Sequence, residues 1–299
     1  MRNSRGCVVV LITGGSGFIG RNLVESLRGN YEILSPSRQE LDLLDEQAIR
    51  RYVIQHNIDV VVHSATTPGH RNARPIADLA VRNQKMFFGL ARNRDQYGKM
   101  IFLSSGAVYD MRHYRPQMRE EYFDTHVPVD EHGFSKYVCA KYIEEADNIL
   151  ELRLFGVFGK YEDYEIRFIS NAICKTIMEV PITIKQNRRF DYLYVDDLAM
   201  VVDHFIRHDA KYKTYNVTSG QAIDLKSLAE MVRKTSGSRT EIFIKEEGCG
   251  IEYSGDNSRL RESLPHLVLT PFSQSIPCLY SWYEQNRHVI NRELLLVDK

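Results

Sequence analysis

Two stretches of this 299-residue chain combine residue types and spacing that suit chemistry on phosphate. The first is Thr13-Gly14-Gly15-Ser16-Gly17-Phe18-Ile19-Gly20, which follows an apolar run and opens a helical pattern. Glycines there allow a tight turn and close backbone approach to a pyrophosphate, whose charge the helix N-terminus attracts. A bare glycine cluster also makes ordinary turns, but this spacing after a first strand and before a helix points to a dinucleotide. Its contacts would come from Gly14, Ser16, Gly17, Phe18 and Ile19. The second stretch is the pair Arg188-Arg189. Guanidinium groups match phosphate oxygens, and the same pair reads equally well as solvated charges on a turn.

Composition narrows the partners. Lysine plus arginine and aspartate plus glutamate both total 39, so the formal net charge is zero. Nucleic-acid binding would call for a basic excess or stripe, and neither is present beyond Arg2 and Arg5. The five cysteines are scattered without a Cys-x-x-Cys pair, which argues against a disulfide framework or a zinc site. The apolar run Cys7 to Ile12 is too short for a signal peptide, and nothing approaches a membrane span. The expectation is a cytoplasmic chain with no metal and no membrane partner.

The elements that must position these residues alternate. Cys7–Ile12, Asp59–His63 and Lys99–Ser104 read as strands buried on both faces. Asp45–His56 carries larger side chains at Ile49, Tyr52, Val53 and His56, a helical spacing behind an Asp45 N-cap. Such alternation implies βαβ units and a parallel sheet. Beyond it, helical patterns at 168–180, 195–208 and 225–236 alternate with short strands at 214–217 and 240–244. The expected fold is α/β: a Rossmann-type doubly wound parallel sheet over residues 1–160 that also receives segments near 182–208, and a smaller mixed α/β domain, mainly for the nucleotide-sugar, over 161–299. Ligands of such sheets sit beyond the carboxyl ends of the strands.

The chain resembles the extended short-chain dehydrogenase/reductase family, in its nucleotide-sugar epimerase/dehydratase branch. The resemblance rests on the TGxxGxxG wording at Thr13–Gly20, on Asp59-Val60-Val61-Val62-His63-Ser64-Ala65, and on Phe102-Leu103-Ser104-Ser105-Gly106-Ala107-Val108-Tyr109. It continues through Phe155-Gly156-Val157-Phe158-Gly159, Tyr192-Leu193-Tyr194-Val195-Asp196-Asp197 and Thr218-Ser219-Gly220. It implies that Ser64, Ala65, Ser104 and Phe155 line the coenzyme, that Asp42 lies near the adenine, and that Thr67 and Ser105 meet the substrate. It also implies a homodimer through a four-helix interface. The second strand leads into Leu34-Ser35-Pro36-Ser37-Arg38, with no acid before Glu40. An acid there suits NAD and a basic residue suits a 2′-phosphate. The segment looks most like the GDP-fucose synthase subgroup, so Arg38 implies NADP, with NAD the alternative if Arg38 is only a solvated loop residue.

The family's Ser/Thr, Tyr and Lys constellation falls on Ser105, His132 and Lys136, and the tyrosine position is therefore a histidine. Lysine favours ionisation of a neighbouring tyrosine, but the same cation lowers the pKa of a histidine and makes it a poorer acid. The shorter side chain would call for a bridging water. Tyr137 and Lys141 repeat the bare spacing, but a five-residue slip turns them about 140° away along the helix. His132 is thus a weaker catalyst, a water-relayed one, or a mark of altered turnover or of a substituted tyrosine.

Missing residues limit the reaction. Dehydratases of the family carry an Asp-Glu pair where Gly106 and Ala107 stand, and GDP-fucose synthases use a cysteine near Ala107 and a histidine near Arg167. Simple hydride transfer at one carbon remains: NADP(H)-dependent reduction of a 4-keto nucleotide-sugar, or else 4-epimerisation. Arg188 and Arg189 would meet the substrate diphosphate, although Phe190 replaces the arginine usual before that signature's aspartate. A catalytically silent relative that only binds dinucleotide or nucleotide-sugar is the alternative from another class.

Overall fold

A computed structural model describes residues 6–67 and 76–296. The chain opens with β1 (Val9–Thr13), α1 (Phe18–Leu27), β2 (Glu32–Leu34), α2 (Glu46–His56), β3 (Val60–His63) and α3 (Leu79–Ala91). It continues with β4 (Lys99–Ser105), α4 (Glu131–Glu145), β5 (Ile149–Leu154), β6 (Gly156–Phe158), α5 (Phe168–Ile177), β7 (Ile182–Asn187) and β8 (Arg189–Tyr194). There follow α6 (Val195–Arg207), β9 (Thr214–Val217), β10 (Ala222–Asp224), α7 (Leu225–Ser236), β11 (Ile242–Cys249), α8 (Ser258–Ser263) and α9 (Phe272–Gln285). No helix of the described residues is long and apolar enough to cross a membrane.

Six strands form one sheet in the order β2-β1-β3-β4-β5-β9, with every pair parallel. This is the Rossmann-type α/β architecture. β1 and β3 are buried along their whole length, which is why they read as continuous apolar runs rather than as alternating ones; β5 is equally buried but alternates, with Glu151 and Arg153 paired inside. Helices α1 and α6 cover one face around Val10, Ile12, Leu103 and Leu152. The other face packs α2, α3 and α4 through Ile49, Phe87, Phe102 and Ile143. Asp45 caps α2, its Oδ1 accepting from the backbone N–H of Gln47 at 2.9 Å and of Ala48 at 3.0 Å. Asp59 lies just before β3, and its carboxylate accepts from Val9 N at 2.8 Å.

The remaining elements build a second core from α5, α7, α9 and the strands β6 to β8 around Phe158, Ile173, Leu228 and Leu279. β10-β8-β6 make a small sheet, and β11 pairs with β7. Residue 160 does not separate the two cores. Of the stretch 182–208, α6 joins the large sheet, but β7 pairs with β11, away from it. β9, from well beyond residue 160, is the large sheet's last strand. β11 starts two residues later than the reading of 240–244 and runs to Cys249, because its mostly exposed outer half gives no apolar pattern to read.

Candidate active site

The order of the large sheet reverses at β1, which has β2 on one side and β3 on the other, and a ligand crevice opens at such a switch point. The glycine loop leaves β1 there. Gly14 has φ +71°, and a Cβ built on it would lie 2.7 Å from Ala65 Cα. A Cβ on Gly20 would lie 2.2 Å from the Gly14 carbonyl oxygen. The loop is therefore pressed against the turn after β3 and against the first turn of α1. Helix α1 has no side-chain cap and no acid in its first turn. Ser16 and Gly17 are exposed and Phe18 and Ile19 half-buried, so the helix end is left for an anion to complete. The residues fit a dinucleotide pyrophosphate.

Thr13 and His63 tie the ends of β1 and β3 together. Thr13 Oγ1 accepts from Ala65 N at 3.2 Å and lies 2.8 Å from His63 Nδ1. The tautomer of the ring sets which of the two donates, because the hydroxyl can accept from both partners or donate to the ring. Burial pushes the His63 pKa down to about 3, with the Lys136 charge adding to the effect. Sequence reading quoted this histidine only as part of a strand; a polar residue at the end of an apolar run was the available signal. Ser64 and Ala65 are half-buried beside the loop. Thr67 N donates to Asn83 Oδ1 at 2.7 Å, so the buried Asn83 of α3 fixes that turn. Asn83 was missed because its partner lies outside its own helix.

At the carboxyl end of β4, Ser104 is buried and its hydroxyl has no hydrogen-bond partner, an orphan that a bound group would satisfy. Ser105 is half-buried and accepts from Ala107 N at 3.2 Å. Asp130 caps α4 through Gly133 N at 2.8 Å. This helix carries His132, half-buried, and Lys136, buried. Lys136 Nζ donates to the Leu103 carbonyl at 3.2 Å and lies 4.5 Å over the Phe102 ring. Burial lowers its pKa; Cys139 and Glu151 oppose that. The structure brings Ser105, the helix turn of His132 and Lys136 together, since a Cβ on Gly133 would lie 2.8 Å from the Ala107 carbonyl oxygen. Tyr137 and Lys141 face outward, both bonded to Asp124. Phe155 ends β5 with its ring against Gly106.

Beyond β2, Ser35 meets the glycine loop, since a Cβ on Gly15 would run into its hydroxyl. Arg38 follows on the surface, its side chain 70% exposed and 3.9 Å from Asp42. The two arginines lie farther out. Arg189 donates to the Ala222 carbonyl at 2.7 Å and pairs with Glu252 at 3.4 Å, so it reaches a phosphate only by releasing that partner. Arg188 is half-buried at the turn between β7 and β8. The late signatures have a structural reason. Asp191 is buried and accepts from Ser219 N at 2.7 Å, Ser219 Oγ at 2.6 Å and Gly220 N at 2.9 Å, which joins β8 to the turn after β9.

A dinucleotide-type sheet with a serine at the carboxyl end of β4 and a buried lysine of α4 against that strand is the arrangement of an enzyme of the oxidoreductase and epimerase kind. A model of the NAD dependent epimerase/dehydratase family matches residues 10–218, and the chain belongs to that family. It is similar to GDP-L-colitose synthase of Yersinia pseudotuberculosis, 24% identical over 279 residues that cover 85% of this chain and 91% of the relative. Its fold matches UDP-glucose 4-epimerase from Thermotoga maritima with a TM-score of 0.81 at 18% identity, over 94% of this chain and 100% of that one. A GDP-mannoheptose C4 reductase from Campylobacter jejuni with NADP bound matches with a TM-score of 0.78 at 22% identity, over 93% and 98%.

Proposed function

We propose that the chain reduces a 4-keto nucleotide-sugar with NADPH. When bound, the coenzyme supplies hydride to the sugar carbon. Gly14 to Ile19 hold its phosphates, Ser64, Ala65, Ser104 and Phe155 line it, and Lys136 reaches its ribose. Ser105 hydrogen-bonds the reacting oxygen, and His132 stands at the proton-donor position with a shorter side chain than the family's tyrosine. Thr67 and Arg188 face the nucleotide-sugar, with Arg189 once it releases Glu252. The observation that carries the choice of coenzyme is Arg38: it follows the β2 loop that touches Gly15, exposed and ready to meet a 2′-phosphate. Consumed NADPH fits reduction, whereas a 4-epimerase recycles its coenzyme. The exposed Val81 on α3 and Phe134 on α4 support a homodimer through these helices, and the five scattered cysteines, without a Cys-x-x-Cys pair, support a reducing, cytoplasmic place.

The test is calorimetry of NADPH and NADH against the protein and its Arg38→Ala variant. A charge-assisted contact is worth about 1.5–3 kcal/mol, so the variant should lose roughly 10- to 100-fold in NADPH affinity and little in NADH affinity. Equal losses for both would remove the argument for NADP. His132 favours a second reading, a relative that binds without turnover. NADPH oxidation in the presence of 4-keto-6-deoxy nucleotide-sugars separates the two.

A further inference from the structure

We propose that Tyr253 supplies the phenol that position 132 lacks and is the group that exchanges a proton with the sugar oxygen, an inference that rests on the reductase reading above. Tyr253 comes from the strand-like segment after β11, and backbone hydrogen bonds pin it on both sides. Its N–H donates to the Arg189 carbonyl at 2.9 Å and its carbonyl accepts from Asp191 N at 2.9 Å. The ring packs between Phe155, centroids 4.9 Å apart, and Tyr114, 5.0 Å. This aims the hydroxyl at the carboxyl end of β4. A Cβ built on Gly106 would lie 2.7 Å from the Tyr253 oxygen and 2.8 Å from Phe155 Cε1.

The phenol therefore touches the residue that directly follows Ser105, beside the ring that ends β5. Gly106 is its complement, because any side chain there would push the hydroxyl out. Tyr253 is half-buried, so a ligand can reach it.

In this step the sugar carbonyl carbon gains a hydride from reduced nicotinamide and is reduced to the alcohol. The carbonyl π pair moves to oxygen, which takes the Tyr253 proton as the phenol O–H bond breaks. The phenolate recovers a proton from water, and the nicotinamide is left oxidised. A positioned proton donor contributes roughly 10²- to 10⁴-fold.

Tyr253→Phe keeps the ring and its packing. Single-turnover oxidation of bound NADPH by a 4-keto-6-deoxy nucleotide-sugar should fall by about 10²-fold or more, with NADPH affinity by calorimetry unchanged. Undiminished turnover in the variant, or a rise in KM with the rate at saturation unchanged, overturns the proposal. Wild-type protein that binds NADPH yet oxidises none with any donor overturns the reductase reading, and this role with it.

Discussion

Gly14 shows how much one residue decides. Its φ of +71° suits glycine, and a methyl group would lie 2.7 Å from the Ala65 backbone. Gly14→Ala should therefore cost about 1–3 kcal/mol of stability in urea unfolding and weaken NADPH binding by at least tenfold in calorimetry. Loss of stability without loss of affinity would mean that the loop does not hold the phosphates. This residue was legible because its partners in the motif are sequence neighbours. Lys136 was singled out through the family's Ser/Thr, Tyr and Lys constellation, and α4 buries it against β4. Tyr253 was not: its hydroxyl meets Gly106 through a segment whose sequence carries no motif, and only the packing of the second core on the first brings it there.

Among elements, strands with uniform apolar character were read well, because burial on both faces leaves a signature in the strand itself. β1, β3 and β4 fall within a residue or two of the runs expected for them. Which sheet a strand joins is another matter, since pairing depends on partners far along the chain. β7 and β9 both lie beyond residue 160, yet one pairs with β11 and the other with β5. The link from β8 to the turn after β9 depends on Asp191, a buried carboxylate whose pKa burial raises while its donors from Ser219 and Gly220 oppose the rise. Asp191→Asn would turn one acceptor into a donor facing backbone N–H groups. The expected loss is about 1–3 kcal/mol in the urea midpoint, together with a higher KM for the sugar. An unchanged KM would show that this turn does not bear on substrate.

For the whole molecule, two buried titratable groups, His63 beside the first core and Glu162 in the second, act on stability in opposite directions. His63, beneath the glycine loop, is pushed down to about 3 by burial and by Lys136. Between there and its ordinary 6.5 the unfolded chain holds a proton that the folded one does not, so stability falls as pH falls. Glu162, in the second core with Ser170 donating to it at 2.6 Å, is pushed up to about 8 by burial. Between its ordinary 4.5 and 8 the folded chain holds the extra proton, so stability falls as pH rises. The two slopes oppose each other up to pH 6.5, and above it the His63 slope has ended while that of Glu162 continues. Glu162→Gln removes that proton linkage. The variant should gain on the wild type by up to about 1.4 kcal/mol per pH unit between pH 6.5 and 8 in urea unfolding. A gap that stays constant across that window would show that the carboxyl is already ionised in the folded protein, with water or a cation reaching the second core.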